Sequence, residues 1–307
     1  MKTAVVTGAT SMIGVALIES LVEHDVENIY AVVREGCQKL ERLPKSSAVK
    51  VIYCSADNYS SLPTKIHQKC DVFYHIAWSL TGAKRNDDLY EQSRNIIYTL
   101  DAINSAKALG CEKFVGAGSQ AEYGRLDIER ISPESSVNPV QPYGIAKYAA
   151  GKMAIEQAAK LDISCLWVRI FSVYGIYDKQ SSMVASSLGK MINGEKAEFT
   201  PAEQTWDYLF SSDAGEAFYL IGERASGRKV YCLGSGKAQP LKDYIAVMEK
   251  ATASQNVYIG ALPYPKGVLM NLCADITSLK EDTGFSPKVG FTEGIAKTIR
   301  WIKTDEK

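Results

Sequence analysis

The chain has 307 residues, and its 35 basic side chains balance 35 acidic ones, so the formal net charge is zero. A balanced charge excludes a global field that would recruit nucleic acid or an anionic membrane, and any phosphate must therefore be bound locally. Seven cysteines without CxxC pairs predict reduced, mostly buried thiols in a cytoplasmic protein, and no metal site. No segment has the roughly 18 consecutive apolar residues that a membrane span requires.

The predicted elements begin at the first residues of the chain. Residues 3–7 are a short apolar run, residues 8–11 a turn, residues 13–22 carry apolar positions at helical spacing, and residues 29–33 read as a second strand. The alternation continues with strands at 49–53, 72–76, 113–116 and 164–170, and with helices at 95–108 and 147–159. Strands alternating with helices predict an α/β fold with a doubly wound parallel sheet, as in a Rossmann fold.

A glycine turn follows the first predicted strand and opens the first predicted helix. Backbone N–H groups in such a turn, together with the positive end of the helix, hold a pyrophosphate, so this context predicts a dinucleotide site. Ser11 stands where a middle glycine is common, and its small hydroxyl side chain still permits the approach of a phosphate. A plain strand-to-helix turn is the alternative. The predicted cofactor contacts are Gly8, Thr10, Ser11, Met12, Ile13 and Gly14.

The end of the second strand bears on the choice between NADP and NAD. Twenty residues beyond Gly14 the sequence reads Val33-Arg34-Glu35. Arg34 can pair with a ribose 2′-phosphate, which favours NADP as the cofactor. In the alternative, Arg34 is an ordinary exposed side chain, Glu35 binds the ribose 2′-hydroxyl, and the cofactor is NAD.

After Gly175 the strand and helix pattern loosens and prolines become frequent, at positions 201, 240, 263, 265 and 287. We expect a dinucleotide-binding domain at residues 1–174, with residues 206–234 returning to it. Residues 175–205 and 235–307 are expected to form a smaller C-terminal substrate lobe. Because ligands of doubly wound sheets bind at the carboxyl ends of the strands, this lobe would cap that edge.

Tyr143 and Lys147 lie four residues apart, in Pro142-Tyr143-Gly144-Ile145-Ala146-Lys147. If these residues open a helix, the two side chains share one face, with the ammonium beside the phenol. A nearby cation favours the phenolate and moves the phenol pKa from near 10 toward the working range of an acid/base catalyst. A surface helix with a half-buried tyrosine is the alternative if the pair stands alone.

These segments together resemble the extended short-chain dehydrogenase/reductase family, and more narrowly its nucleotide-sugar epimerase, reductase and dehydratase branch. The resemblance spans nearly the whole chain. It rests on residues 7–14, 55–57, 75–77, Asn95, Ser119 with Tyr123-Gly124, residues 143–147, 169–175, 206–210 with Asp213, 233–236 and 274–276, in the family order.

The resemblance implies a role for several side chains. Tyr143 is the acid/base, Lys147 tunes it and holds the nicotinamide ribose, and Ser119 hydrogen-bonds the reacting oxygen. A hydroxyl and a phenol converging on one oxygen would also stabilise the charge that develops during hydride transfer. Asp57 is implied to contact the adenine and Ala77 the cofactor ribose, while the His75 side chain is expected to be structural. Asn95 either positions backbone or water near Lys147, or only satisfies a helical carbonyl.

Departures from the family pattern restrict the chemistry. Dehydratases of this branch carry an Asp-Glu pair after the serine or threonine, where this chain has Gln120 and Ala121, so dehydration is not expected. Ser172 replaces an asparagine of the family, and Trp206 replaces an arginine. Ser119, Gln120, Tyr143, Ser172 and Trp206 are the predicted substrate contacts.

The sequence therefore predicts an NADP-dependent reductase of a nucleotide-linked 4-keto-6-deoxy sugar, in which Tyr143 is the general acid. The first alternative is a nucleotide-sugar 4-epimerase with retained NAD, which uses the same three residues. A small-ketone reductase and a non-catalytic dinucleotide-sensing protein are further alternatives. The family resemblance also implies a homodimer, formed through the helices at 95–108 and 148–159. In the second helix Ala149, Ala150, Met153 and Ala158 offer small apolar surface, unless they simply cover the sheet.

Overall fold

The computed structural model describes residues 1–82, 84–126 and 128–305. Its strands are β1 (Thr3–Thr7), β2 (Asn28–Val33), β3 (Val49–Tyr53), β4 (Val72–His75), β5 (Lys113–Ser119), β6 (Ser164–Ile170), β7 (Ser172–Tyr174), β8 (Ala197–Phe199), β9 (Thr205–Trp206), β10 (Tyr208–Phe210), β11 (Arg228–Leu233), β12 (Gln239–Pro240), β13 (Val257–Ile259) and β14 (Asn271–Leu272).

The α-helices are α1 (Met12–Glu23), α2 (Leu62–Lys65), α3 (Leu89–Ala108), α4 (Pro142–Leu161), α5 (Met183–Ile192), α6 (Ser211–Arg224), α7 (Leu241–Thr252), α8 (Thr277–Thr283) and α9 (Phe291–Asp305). Short 3-10 helices are η1 (Leu40–Arg42), η2 (Ala56–Ser61) and η3 (Gln120–Tyr123). Within the described ranges, no helix is long and apolar enough to cross a membrane.

The main sheet is parallel and has the strand order β11-β6-β5-β4-β1-β2-β3. Helices α1 and α6 cover one face, where Leu17 and Phe218 join a buried cluster with Val115. Helices α3 and α4 cover the other face, where Ile103 and Ala154 are buried. Because both faces are covered, the strands are apolar on both sides. The predicted doubly wound α/β sheet is confirmed.

Most helices and strands lie where the sequence predicted them, and the differences occur at their ends. Strands β1, β3 and β6 have the predicted bounds. Helix α3 begins six residues before the predicted start, because the Asp88 side chain accepts the backbone N–H of Glu91 at 2.9 Å and caps the helix there. Strand β5 runs on to Ser119, three residues beyond its predicted end.

A second hydrophobic core lies outside the main sheet. Leu188 of α5, Phe199 of β8, Ile245 of α7 and Ile295 of α9 are buried together in it. Short strands accompany these helices, in the pairs β13-β8 and β10-β7 and in the group β12-β9-β14. This core is built mostly from the parts of the chain in which the sequence pattern loosens, but Tyr174 and Phe210, which were expected in the dinucleotide-binding domain, also belong to it.

The order of the main sheet reverses between β1 and β4, since the chain passes from β1 to β2 and β3 on one side and from β4 to β5 and β6 on the other. Ligands of doubly wound sheets bind outside the carboxyl ends of the strands at such a point. Gly8 follows β1 and Ala77 lies just beyond β4. The fold therefore places the glycine turn at the edge where a ligand is expected.

Candidate active site

The glycine turn between β1 and α1 has no room for a side chain at either of its glycines. Gly8 has a φ of +68°, and a Cβ atom there would lie 2.7 Å from the backbone nitrogen of Ala77. A Cβ atom on Gly14 would collide with the carbonyl oxygen of Gly8. Ser11 donates its N–H to the Gly8 carbonyl at 3.0 Å, and its hydroxyl oxygen accepts the Gly14 N–H at 3.1 Å. Ser11 thus closes the turn and caps α1.

This turn fits the pyrophosphate of a dinucleotide. The first N–H groups of an α-helix have no intrahelical acceptor, and the helix dipole makes that end attractive to anions. Met12 and Ile13 supply such N–H groups at the start of α1. Thr10 lies beside the segment that follows β2, with its hydroxyl 3.6 Å from the thiol of Cys37.

The remaining predicted cofactor residues lie at the same edge. Arg34 and Glu35 are both exposed, directly after β2, and their positions alone do not separate NADP from NAD. Asp57 is exposed in the first turn of η2, and Ala77 is half-buried beyond β4.

His75 at the end of β4 is a buried, neutral side chain. Its two ring nitrogens lie 3.0 Å from the Thr7 hydroxyl and 3.3 Å from the Thr99 hydroxyl. Burial, and secondarily the charge of Lys147, lower the pKa of His75 to about 3. The side chain therefore ties β1 and β4 to α3, which is the structural role expected for it.

Ser119 and Tyr143 meet where β5 ends and α4 begins. Pro142 starts α4, a position where its fixed φ suits a helix, and Tyr143 lies in the first turn. A Cβ atom on Gly144 would collide with the carbonyl oxygen of Ala121, so α4 approaches η3 closely. The Ser119 side chain hydrogen-bonds that of Tyr143, and the Arg85 guanidinium lies 5.1 Å from the centre of the tyrosine ring.

The expected effect of Lys147 on Tyr143 is not what the structure shows. Burial is the largest influence and raises the pKa of the Tyr143 phenol above its usual value. The hydrogen bond from Ser119 and the charge of Arg85 lower that pKa, and the carboxylate of Glu122 raises it. The structure therefore does not show the predicted lowering of the Tyr143 pKa toward the working range by Lys147.

Lys147 has the predicted i+4 position, and its ammonium contacts a backbone carbonyl and an indole ring. Its Nζ donates to the carbonyl oxygen of Ala117 at 2.6 Å and lies 3.6 Å from the ring centre of Trp78. Burial lowers the pKa of Lys147 to about 7, and the charge of Glu122 acts against that shift. The ammonium of Lys147 is therefore stabilised by a hydrogen bond to a carbonyl of β5 and by a cation–π contact with an indole ring.

Asn95 of α3 holds backbone beside this cluster. Its side-chain oxygen accepts the N–H of Ser79 at 2.7 Å, and its Nδ2 donates to the Ser79 carbonyl at 3.2 Å and to the Glu91 carbonyl at 2.8 Å. The indole N–H of Trp78 donates to Gln92 at 2.9 Å. Helix α3 therefore fixes the segment that carries Trp78 over Lys147.

Ser172 and Trp206, the two residues that differ from the family pattern, are in direct contact. The indole N–H of Trp206 donates to the Ser172 hydroxyl at 2.7 Å, and both side chains are half-buried. Gln120, also half-buried, begins η3 directly after Ser119. The pair at 172 and 206 is polar but uncharged.

Three side chains of the cluster were not predicted from the sequence. Trp78, Arg85 and Glu122 contact or act on Tyr143 and Lys147. For Glu122 the sequence does carry a signal, because Ser119 and Glu122 have the Ser-x-x-Glu spacing of a capping box, which the structure contains. For Trp78 and Arg85 no local pattern indicates the contact.

Contacts between the two cores cross this edge of the sheet. The Arg42 guanidinium lies 4.6 Å from the ring centre of Tyr177, which in turn packs edge-on against Trp301 at 5.6 Å. Lys179 donates to the Thr81 hydroxyl at 2.6 Å. The segment that follows β2 lies beside Thr10 of the glycine turn and, through Arg42, therefore also contacts the second core.

Comparison with known protein families shows to which family the chain belongs. The model of the NAD dependent epimerase/dehydratase family matches residues 4–234, more than half of the chain. The chain belongs to this family. As a member of the NAD-dependent epimerase/dehydratase family, it is an NAD(P)-dependent enzyme of the extended short-chain dehydrogenase/reductase type, as the sequence predicted.

Relatives within the epimerase/dehydratase family align along the full chain. The UDP-glucose 4-epimerase of Mycolicibacterium smegmatis is 26% identical over 316 residues, which cover 97% of each chain. The solved UDP-glucose 4-epimerase of Thermotoga maritima with UDP-glucose has a TM-score of 0.88 at 22% identity, covering 99% of each chain. The UDP-glucuronic acid 4-epimerase of Bacillus cereus, solved with UDP-glucuronic acid and NAD, has a TM-score of 0.83 at 21% identity, covering 98% of this chain and 99% of the other. The two structures show a shared fold.

Proposed function

We propose that this protein is an NAD-dependent 4-epimerase of a UDP-linked sugar. The observation that carries the proposal is the full-length similarity to the Mycolicibacterium smegmatis UDP-glucose 4-epimerase. The contact between Ser119 and Tyr143 at the ligand-binding edge supports it. The comparisons thus favour the alternative over the predicted NADP-dependent reductase, for which they give no support.

The proposed chemistry needs one side chain that first removes a proton from the sugar hydroxyl and later returns it to the same oxygen. The chemistry that NAD would supply here is reversible hydride transfer with the sugar carbinol carbon. Tyr143 takes the proton of the sugar hydroxyl as the phenolate and gives it back as the phenol, while the Ser119 hydroxyl hydrogen-bonds the sugar oxygen. The buried Lys147 supplies a positive charge beside this centre, and Asn95 keeps the neighbouring backbone in place. Because hydride and proton both return, the composition of the sugar is unchanged, and its configuration inverts when the hydride is returned to the opposite face of the ketone carbon.

We assign the cofactor site to the glycine turn and to the residues at the ends of β2 and β4. The turn from Gly8 to Gly14 holds the pyrophosphate, with Asp57 at the adenine and Ala77 at the ribose. For NAD, Glu35 rather than Arg34 takes the ribose hydroxyls. The NAD in the Bacillus cereus enzyme supports this choice. The contacts of Arg42 with Tyr177 and of Lys179 with Thr81 would oppose release of the cofactor, as an epimerase that retains its NAD requires.

The second core is proposed as the substrate lobe, formed by residues 175–205 and 235–307 as predicted. Gln120, Ser172 and Trp206 face the sugar nucleotide in this proposal. The UDP-glucose in the Thermotoga maritima structure supports a UDP-linked substrate. Since the pair of Ser172 and Trp206 is uncharged, the diphosphate is bound through hydrogen bonds there.

The deciding experiment uses a panel of UDP-linked sugars, each with and without added NAD or NADPH. We expect isomerisation at constant mass, with no net change in absorbance at the reduced nicotinamide band, because the hydride returns to the carbon it left. Stoichiometric loss of NADPH with a gain of two hydrogens in the product would instead establish the reductase. Product mass and configuration are measured by mass spectrometry and NMR.

We also propose that two copies pair through α3 and α4. Only some of the predicted residues of α4 are exposed enough to take part in this contact. Ala150 and Ala158 are fully buried and cover the sheet, so the prediction that they offer surface is wrong, whereas Met153 is 45% exposed. Ile97 on α3 is 59% exposed. Exposed apolar side chains on two packed helices support a homodimer.

For this dimer we expect that Ile97→Glu combined with Met153→Glu gives a monomer, since four charges would be buried at the interface. Light scattering at micromolar concentration measures the mass. Ile259→Glu is the matched control, because Ile259 is 49% exposed on β13 and should leave the dimer intact. A monomeric wild type, or a dimeric double variant, would contradict the pairing.

A further inference from the structure

Glu122 is a fully buried carboxylate that joins three elements of the site. Its Oε1 accepts the backbone N–H of Ser119 at 2.8 Å and the indole N–H of Trp167 at 2.9 Å. Its Oε2 pairs with the guanidinium of Arg169 at 2.8 Å. These donors come from the end of β5 and from β6, while Glu122 itself lies on η3.

The buried ion pair of Glu122 and Arg169 is not explained by stability alone. Replacing such a pair with apolar side chains is often neutral or stabilising, because removing two charges from water costs about as much as their attraction returns. Trp167 is itself packed against Gly118 and Gly151, so its indole N–H has a fixed position. The network therefore fixes the oxygen atoms of Glu122, and through them the backbone of Ser119, relative to β6.

We propose that Glu122 is a positioning residue for the reaction, which fixes the backbone of Ser119 by hydrogen bonding while it is itself fixed by Trp167 and Arg169. This inference rests on the proposed function, in which Ser119 hydrogen-bonds the reacting oxygen and Lys147 supplies a positive charge beside it. Glu122 itself does not touch the substrate in this assignment, and it acts only through its two neighbours.

The charge of Glu122 reaches both partners of the acid/base pair. It raises the pKa of Lys147, which burial has lowered to about 7, and it raises the pKa of Tyr143. Lys147 is charged below its pKa and neutral above it, so a loss of the Glu122 charge should move the loss of the ammonium to lower pH. The other titratable or charged groups that face this set are His75 from β4, Arg85 from the segment before α3, Tyr123 of η3 and Arg169 of β6.

The test compares Glu122→Gln, which removes the charge at nearly constant size, with Glu122→Asp, which keeps the charge but shortens the reach. For Glu122→Gln we expect the alkaline limb of the kcat/KM profile to move to lower pH, and kcat to fall about tenfold or more through misplacement of Ser119. For Glu122→Asp we expect a similar fall in kcat with the alkaline limb near that of the wild type. Glu23→Gln, an exposed change at the far end of α1, is the control for a lost carboxylate.

The pKa of Lys147 is also titrated by NMR with ¹³C-labelled lysine, assigned by comparison with Lys147→Arg. This readout needs no turnover, so it still decides the role of the charge if no UDP-linked sugar is isomerised and the proposed function fails. We expect the Lys147 pKa to be lower in Glu122→Gln than in the wild type.

If Glu122→Gln does not fold, Glu122→Gln with Arg169→Met is measured in its place, since it leaves no unpaired buried guanidinium. The same lowered Lys147 pKa and reduced kcat are expected. Variants that change only the melting temperature, with the wild-type pH profile, Lys147 pKa and kcat, would overturn the proposal and leave Glu122 a structural residue.

Discussion

Tyr143→Phe is expected to lower kcat by at least about 100-fold, because it removes an acid/base that typically contributes 10²–10⁴-fold. Ser119 hydrogen-bonds the phenol and the Arg85 guanidinium faces its ring, so the proposed acid/base is held by its neighbours. The ring itself remains in the variant. Cofactor affinity should therefore stay within a few fold of the wild-type value. Steady-state rates of isomerisation and calorimetric titration with NAD measure the two effects.

Tyr148→Phe is the matched control for this prediction. Tyr148 is half-buried on the same helix, one residue after Lys147, and it has no part in the proposed chemistry. We expect its kcat to remain close to that of the wild type. If Tyr143→Phe retained full activity, Tyr143 would be removed from the mechanism and the assignment of the site would fail.

Gly14→Ala is expected to lower the affinity for NAD at least tenfold and to destabilise the fold by about 1–3 kcal/mol. A Cβ atom at this position collides with the carbonyl oxygen of Gly8, which is backbone and cannot rotate away. The turn must then open, and the N–H groups of Met12 and Ile13 move from the position that holds a pyrophosphate. Titration calorimetry and thermal unfolding check the two effects.

Gly189→Ala separates the collision from the general effect of adding a methyl group to a helix. Gly189 lies within α5, and a Cβ atom there would meet no heavy atom within 4 Å. Since alanine is the better helix former, this variant should be as stable as the wild type or more stable by up to about 1 kcal/mol, with unchanged NAD affinity. Wild-type NAD affinity in Gly14→Ala would show that the glycine turn is not the pyrophosphate site.

The sequence by itself determined the alternating strands and helices, because short apolar runs and helical spacing are local patterns. Strands β1, β3 and β6 have the bounds that these patterns predict. The glycine turn and the i+4 spacing of Tyr143 and Lys147 are local as well, and the family resemblance that they carry is confirmed. The choice between a reductase and an epimerase was not determined in this way, since both use the same three residues.

The tertiary structure alone decided where the side chains of α4 point and what surrounds them. This helix is rich in alanine and glycine, so its sequence does not mark the face that packs inward, and Ala150 and Ala158 proved to be buried. Lys147 contacts a carbonyl of β5 and the indole of Trp78, which lies 69 residues earlier in the chain. The pKa values of Tyr143 and Lys147 depend on burial and on Glu122, and burial arises only when distant segments pack together.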